Sequence, residues 1–338
     1  MAGVGLSFDD TDDGGASGGR TWLVIAVLVT LATVGAILLV RAFGGAEGEA
    51  APENGAAKPE AAAREEPASA AAERKKEADA PKRPALPPAD ASKASERALA
   101  LLRAGEEAEK ADDFYAARTN YLAALADPGC GSARPVAEAR LGAVDIELIF
   151  SPRKMDGKID YAIAPGDSLK KIANRHGTTV DLIVKGNSVP NPDRVQVGDR
   201  LRVLDRQVFE IAVSKSRNDL VVTLNGQFFK RYTVGTGKFA KTPVGTFQVT
   251  DKIPEPPWWR PDGKVVPFGD KENILGTRWM AIAATGDTPP AKGYGIHGTW
   301  DESSLGQQSS AGCIRMANRD VEELFIYIPL GTKVVIGE

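Results

Sequence analysis

Residues 219–234 read Asp-Leu-Val-Val-Thr-Leu-Asn-Gly-Gln-Phe-Phe-Lys-Arg-Tyr-Thr-Val. Two runs rich in β-branched and aromatic residues flank Asn225-Gly226. Asn-Gly suits the two-residue hairpin turn, whose central residues both need positive φ. The period-two pattern starts near Val208, and further strands are expected at 245–253, 279–284 and 332–336. One good helix is expected over 319–328, with Asn318 as its cap and Val321, Leu324, Phe325 and Ile328 as its buried stripe. Residues 208–338 are therefore read as a mostly β domain, a β-sandwich with one main helix rather than a parallel sheet.

Upstream, 159–205 is a different unit. Tyr161-Ala-Ile reads as a short strand and Pro165-Gly166-Asp167-Ser168 as a turn ending in a helix cap. Leu169, Ile172 and Ala173 make one helical face, and Gly177 can close that helix after His176. A second helix over 179–185 and a strand after Val197-Gly198-Asp199 complete a small βααβ domain. His176 reads as a helix-end residue without chemistry. Residues 95–150 have helical spacing, broken at Pro128-Gly129. They read either as one tetratricopeptide-like unit or as a plain α-helical hairpin, with a protein partner for the segment left open.

The amino-terminal part has other physics. Residues 42–94 are Ala-, Pro-, Glu- and Lys-rich, a linker whose prolines interrupt any long helix. Residues 21–41 begin with some twenty uncharged, apolar positions, enough at 1.5 Å per residue to span a bilayer as a transmembrane helix. A cleaved signal peptide is the competing reading, disfavoured by the length of the run and its acidic lead. Residues 1–20, rich in Gly and Asp, read as a disordered tail. The 338 residues carry a net charge of −3, with no basic excess to suggest nucleic acid.

Chemistry concentrates in Tyr294-Gly-Ile-His-Gly-Thr299 and Ser309-Ser-Ala-Gly-Cys-Ile-Arg-Met316. A thiol attacks only as thiolate, and His is the side chain suited to take its proton near neutral pH. This domain holds one cysteine, Cys313, and one histidine, His297. Glycines beside both allow a peptide substrate to approach, and the amides of Gly312 and Cys313 are candidate oxyanion donors. The alternatives are a satisfied core histidine, a tight Gly-Cys turn, or a disulfide between Cys313 and Cys130. No metal-ligand spacing surrounds either residue, and no cofactor is expected.

IHGT, followed sixteen positions after the His by the Cys of SAGCIRMANRDV, resembles the signature of YkuD-type L,D-transpeptidases, as does the upstream VGTGKFAKTPVGTFQV. The resemblance implies that Cys313 attacks the stem-peptide carbonyl at diaminopimelate and expels D-Ala, with His297 as base. It implies that the Gly298 carbonyl orients the imidazole and that amides around Gly312 and Cys313 hold the oxyanion. Arg315, Ser310, Asn318 and Tyr294 fall at substrate-contacting positions. The chain departs from many members in having Ala311 before Gly-Cys, so no side chain acts there. Trp258 and Trp259 are read evenly as a lid or as ordinary loop contacts.

YAIAPGDSLKKIANRHGTTVDLIVKGNSV…VQVGDRLRV resembles a LysM module. That implies binding to peptidoglycan glycan strands through loops near Gly166, Asp167, Ser168 and Asn187. The expected whole is a peptidoglycan L,D-transpeptidase anchored in the bacterial inner membrane, its catalytic domain on the extracytoplasmic side. An L,D-carboxypeptidase using the same thioester, and a non-catalytic wall-binding scaffold, are the alternatives.

Overall fold

The computed structural model describes residues 93–338. The expected tail (1–20), transmembrane helix (21–41) and nearly all of the linker (42–94) lie outside the described residues. Among the described residues no helix is long and apolar enough to cross a membrane.

Three helices open the described chain: α1 (Glu96–Lys110), α2 (Phe114–Ala126) and α3 (Arg134–Ile149). Ser95 and Asp113 cap the first two, their side-chain oxygens accepting from Ala98 N at 3.0 Å and Ala116 N at 2.9 Å. Asp112, at φ 61°, makes the reversal between them. Gly105 lets α1 close on Tyr121, since a β-carbon there would lie 2.3 Å from the ring. α1 and α2 form a hairpin that turns at 111–113, a break not expected from the sequence; the expected break at Pro128-Gly129 separates α2 from α3, whose Gly142 lies against Phe229 and Lys230 of the barrel domain.

The βααβ unit is formed as expected. Strand β1 (Lys158–Ala162) pairs antiparallel with β2 (Arg200–Leu204), around α4 (Leu169–His176) and α5 (Val180–Gly186). Ser168 caps α4, and Gly177 ends it at φ 62° in the left-handed region. Ile163, Leu169, Ile172, Ile183 and Val203 form its own small core.

The remaining strands are β3 (Phe209–Ser214), β4 (Asp219–Leu224), β5 (Gln227–Gly237), β6 (Gly245–Pro254), β7 (Trp258–Trp259), β8 (Val265–Val266), β9 (Arg278–Ala284), β10 (Gly295–Thr299), β11 (Gln308–Ser310), β12 (Ile314–Ala317) and β13 (Lys333–Gly337). Leu224 pairs with Gln227 across Asn225 and Gly226, both at positive φ, so the expected hairpin is present. The sandwich expectation is corrected. One nine-stranded sheet runs β11-β5-β12-β10-β9-β6-β13-β3-β4, and β4 pairs again with β5. The sheet therefore closes into a barrel instead of stacking two layers. β5 makes this possible by its length: residues 227–233 pair with β4, 234–235 with β12 and 236–237 with β11. Eight strands close the ring, and β11 pairs with β5 alone outside it. The sheet is mixed, with parallel pairs β10–β12, β13–β3 and β11–β5. Helix α6 (Asn318–Tyr327) begins at Asn318, one residue earlier than expected. Ala317 holds the cap position and makes no side-chain bond.

One apolar core joins the three regions. Tyr121, Leu141 and Leu148 of the helices, Leu182 of α5, and Phe229, Phe247, Met316 and Leu324 of the barrel domain belong to it. Burying Leu182 contributes about 2 kcal/mol. At the seams Arg231 donates to Glu138 at 2.9 Å, and the Thr179 hydroxyl donates to the Ile326 carbonyl on α6. The helical segment thus finds a partner surface in the barrel of its own chain.

Candidate active site

β10 and β12 run side by side and in parallel, with His297 opposite Arg315. Register partners project to the same face, and alternation brings Cys313, two residues before Arg315, to that face where β12 begins. Arg315 lies near enough to act electrostatically on both Cys313 and His297. Neither strand was read from sequence. Gly-Ile-His-Gly-Thr is buried along its whole length and glycine-rich, so it shows no alternation.

His297 is 2% exposed. Its Nδ1 donates to the Gly298 carbonyl at 2.7 Å. A carbonyl can only accept, so Nδ1 carries the proton and Nε2 the lone pair. Trp279, its register partner on β9, stacks on the ring. Burial lowers the imidazole pKa to about 4; the Gly298 and Leu275 carbonyls oppose that shift, and Arg315 adds to it. The ring is thus a neutral base at rest.

Cys313 is a free thiol, as is the buried Cys130, so the disulfide alternative is excluded. The Cys313 thiol donates to the Gly293 carbonyl at 3.6 Å rather than to the imidazole. Burial raises its pKa, while the Gly295 amide and Arg315 pull the other way. Both partners are therefore neutral in this state. Arg315 makes no ion pair among the described residues, which leaves its planar fork of donors available.

The other expected site residues are near, but several act on the protein itself. The Ser310 hydroxyl accepts from Gly312 N at 3.0 Å and donates to Cys313 O at 2.7 Å, and the residue is 1% exposed. It shapes the turn. By the same bond, the Gly312 amide is committed inside the turn and is not a free oxyanion donor. Asn318 accepts from Thr277 N at 3.1 Å and lies where a β-carbon on Gly298 would be, 2.2 Å away; it too holds the backbone around His297. The Tyr294 ring packs on Gly312, which is at φ 139°. Ala311 is exposed and brings no polar group.

In the βααβ unit, Gly166 and Ser168 are exposed. Asp167 is committed locally: its carboxylate accepts from Tyr161 OH at 2.6 Å and Ala164 N at 3.0 Å and pairs with Arg175 at 3.1 Å. The Asn187 amide bridges Ile183 O at 2.8 Å and the backbone of Arg202. Both residues build the loops rather than present them.

Sequence reading missed Trp279, which covers the imidazole, and Thr242, whose hydroxyl donates to Gly312 O at 2.8 Å. It also missed Asn273, whose buried amide donates to Pro256 O at 2.9 Å and pins the β7–β8 loop. Thr242 was visible inside Thr-Pro-Val-Gly-Thr-Phe but without an assigned task. In the β7–β8 loop Trp258 is half-buried beneath the Arg260 guanidinium and Trp259 is exposed.

A closed barrel thus carries His297 and Arg315 as register partners on β10 and β12, with Cys313 directly before β12, and a βααβ module precedes it. The YkuD family of L,D-transpeptidase catalytic domains matches residues 209–336, and the LysM domain family matches 161–203. The chain is 43% identical over 129 residues to a Bacillus subtilis protein assigned as the L,D-transpeptidase YqjB, covering 38% of this chain and 70% of that one. It is 32% identical over 182 residues to a Bacillus licheniformis protein assigned as the L,D-transpeptidase YkuD, covering 52% and 97%. A solved L,D-transpeptidase from Mycobacterium tuberculosis aligns at 18% identity and TM-score 0.32, over 42% of this chain and 70% of that one. The chain belongs to the YkuD-type L,D-transpeptidase family and carries a LysM domain.

Proposed function

We propose that this chain forms a thioester at Cys313 with the stem-peptide carbonyl of diaminopimelate and transfers that acyl group to an amine. The pairing of His297 with Arg315 across β10 and β12, with Cys313 directly before β12 and Arg315 acting electrostatically on both, supports this reading. A raised thiol pKa and a lowered imidazole pKa disfavour a resting ion pair, so proton transfer accompanies attack. Sγ bonds to the carbonyl carbon as its proton passes to Nε2 of His297. The tetrahedral intermediate collapses, the carbon–nitrogen bond breaks, and D-Ala leaves with the proton returned by the imidazolium. An acceptor amine then gives its proton to Nε2 and displaces the thiol. Arg315 holds a carboxylate of the stem. The LysM loops around Gly166 and Ser168, shaped by Asp167 and Asn187, hold the glycan strand. Residues 21–41 anchor the chain in the membrane with the catalytic domain outside; protease protection in sealed vesicles tests that arm.

Incubation with tetrapeptide-bearing muropeptides tests the chemistry. Free D-Ala and cross-linked dimers are expected, and both vanish in Cys313→Ala. D-Ala release that survives this substitution defeats the proposal. Shortened monomers in place of dimers turn the reading to hydrolysis, the carboxypeptidase alternative.

A further inference from the structure

Two hydroxyls hold the turn that presents Cys313. Ser310 ties Gly312 N to Cys313 O, as described. Thr242, in the loop after β5, accepts from Gly237 N at 2.7 Å and donates to Gly312 O at 2.8 Å. Thr242 is 1% exposed, so water does not compete for either bond. The approach is close: a β-carbon on Gly237 would lie 2.7 Å from Thr242 N and 2.9 Å from Gly312 Cα. Only glycine at 237 lets so short a side chain reach across.

The consequence falls on the Gly312–Cys313 peptide. It is planar and trans, so its carbonyl and its N–H point in opposite directions. Thr242 holds the carbonyl end. The Cys313 N–H therefore points away from Thr242, and it has no acceptor among the described residues. A donor fixed at one end and empty at the other meets the requirement for stabilising charge that appears only during reaction.

We propose that Thr242 is a positioning residue: by clamping the Gly312 carbonyl it aims the Cys313 amide at the oxygen of the carbonyl under attack, making that amide the turn's oxyanion donor. This rests on the reading that Cys313 is acylated.

The test compares two reactions of Cys313 in the full chain, each followed by peptide mass mapping. Acylation by an activated aryl ester forms a carbon–sulfur bond through an oxyanion and expels the aryl oxide. Alkylation by iodoacetamide displaces iodide with no oxyanion. In Thr242→Val the acylation-to-alkylation ratio should fall about 10- to 100-fold, while Thr242→Ser stays within about threefold of the parent. An unchanged ratio in the valine variant, or an equal fall in the serine variant, overturns the proposal. Ester labelling elsewhere that persists in Cys313→Ala would instead defeat the thioester reading. Should Thr242→Val not fold, a crystal structure of the parent chain with a peptide aldehyde decides. The hemithioacetal oxygen should lie about 3 Å from Cys313 N; an oxygen directed at Gly312 N or at solvent overturns the proposal.

Discussion

Trp279 stacks on His297, with ring centroids 5.6 Å apart and planes 26° from parallel. The two are register partners on β9 and β10, so the contact is set by strand pairing rather than by chance proximity. Trp279→Ala should hydrate the imidazole and raise its pKa from about 4 toward the ordinary 6.5. The chain has only two histidines, so the C–H resonances can be assigned by substituting His176. Turnover should drop roughly tenfold or more, because the ring loses its fixed orientation. An unmoved His297 titration would show that the tryptophan does not control its hydration.

Acid sensitivity follows from the same burial. His297 stays neutral in the folded chain down to about pH 4, whereas in the unfolded chain it takes a proton near 6.5. Stability from this residue is complete above 6.5 and is lost as pH falls toward 4, by about 3 kcal/mol. Asp145 opposes it. Burial raises its folded pKa to about 7, so its contribution weakens as pH rises from about 4 to 7. Denaturant midpoints of the parent and His297→Gln, measured from pH 4 to 8, isolate the histidine. The gap between them should widen as pH rises; a constant gap contradicts the sign.

Asp145 of α3 pairs with Arg118 of α2 at 2.7 Å, both buried, and the second carboxylate oxygen has no partner. Arg118→Met should cost about 3–5 kcal/mol by stranding the carboxylate, whereas Arg118→Met with Asp145→Leu should recover most of that loss. Urea melts of the three chains check this. A double variant no more stable than the single one would mean the pair is worth its desolvation.

Arg315 is expected to act on substrate carboxylate. Arg315→Ala should raise KM about tenfold or more with a smaller change in kcat, the scale of a hydrogen bond to a charged group. A stem peptide amidated at its carboxylates should bind the parent more weakly but be indifferent to the substitution. Equal losses on both peptides would place the role of Arg315 within the protein.

The hairpin at Asn225-Gly226, the caps at Ser168 and Gly177 and the stripe of α6 were all legible in sequence, because each depends on neighbours within a few residues. The motif around His297 and Cys313 was legible too, because it is specific to the family that matches residues 209–336. Barrel closure was not legible. Alternation buries one face of a strand whether the sheet stacks on another or curls onto itself, and the deciding contact is β5 meeting both β4 and β12. β10 and β12 were hidden because strands buried on both sides and rich in glycine have no period to read. For the same reason only the fold could separate residues that face substrate from residues that hold the site. Ser310, Asn318 and Thr242 carry groups that could serve either role. Which one each serves depends on the backbone atom that lies within 3 Å or so of its side chain, and chain segments distant in sequence bring that atom there.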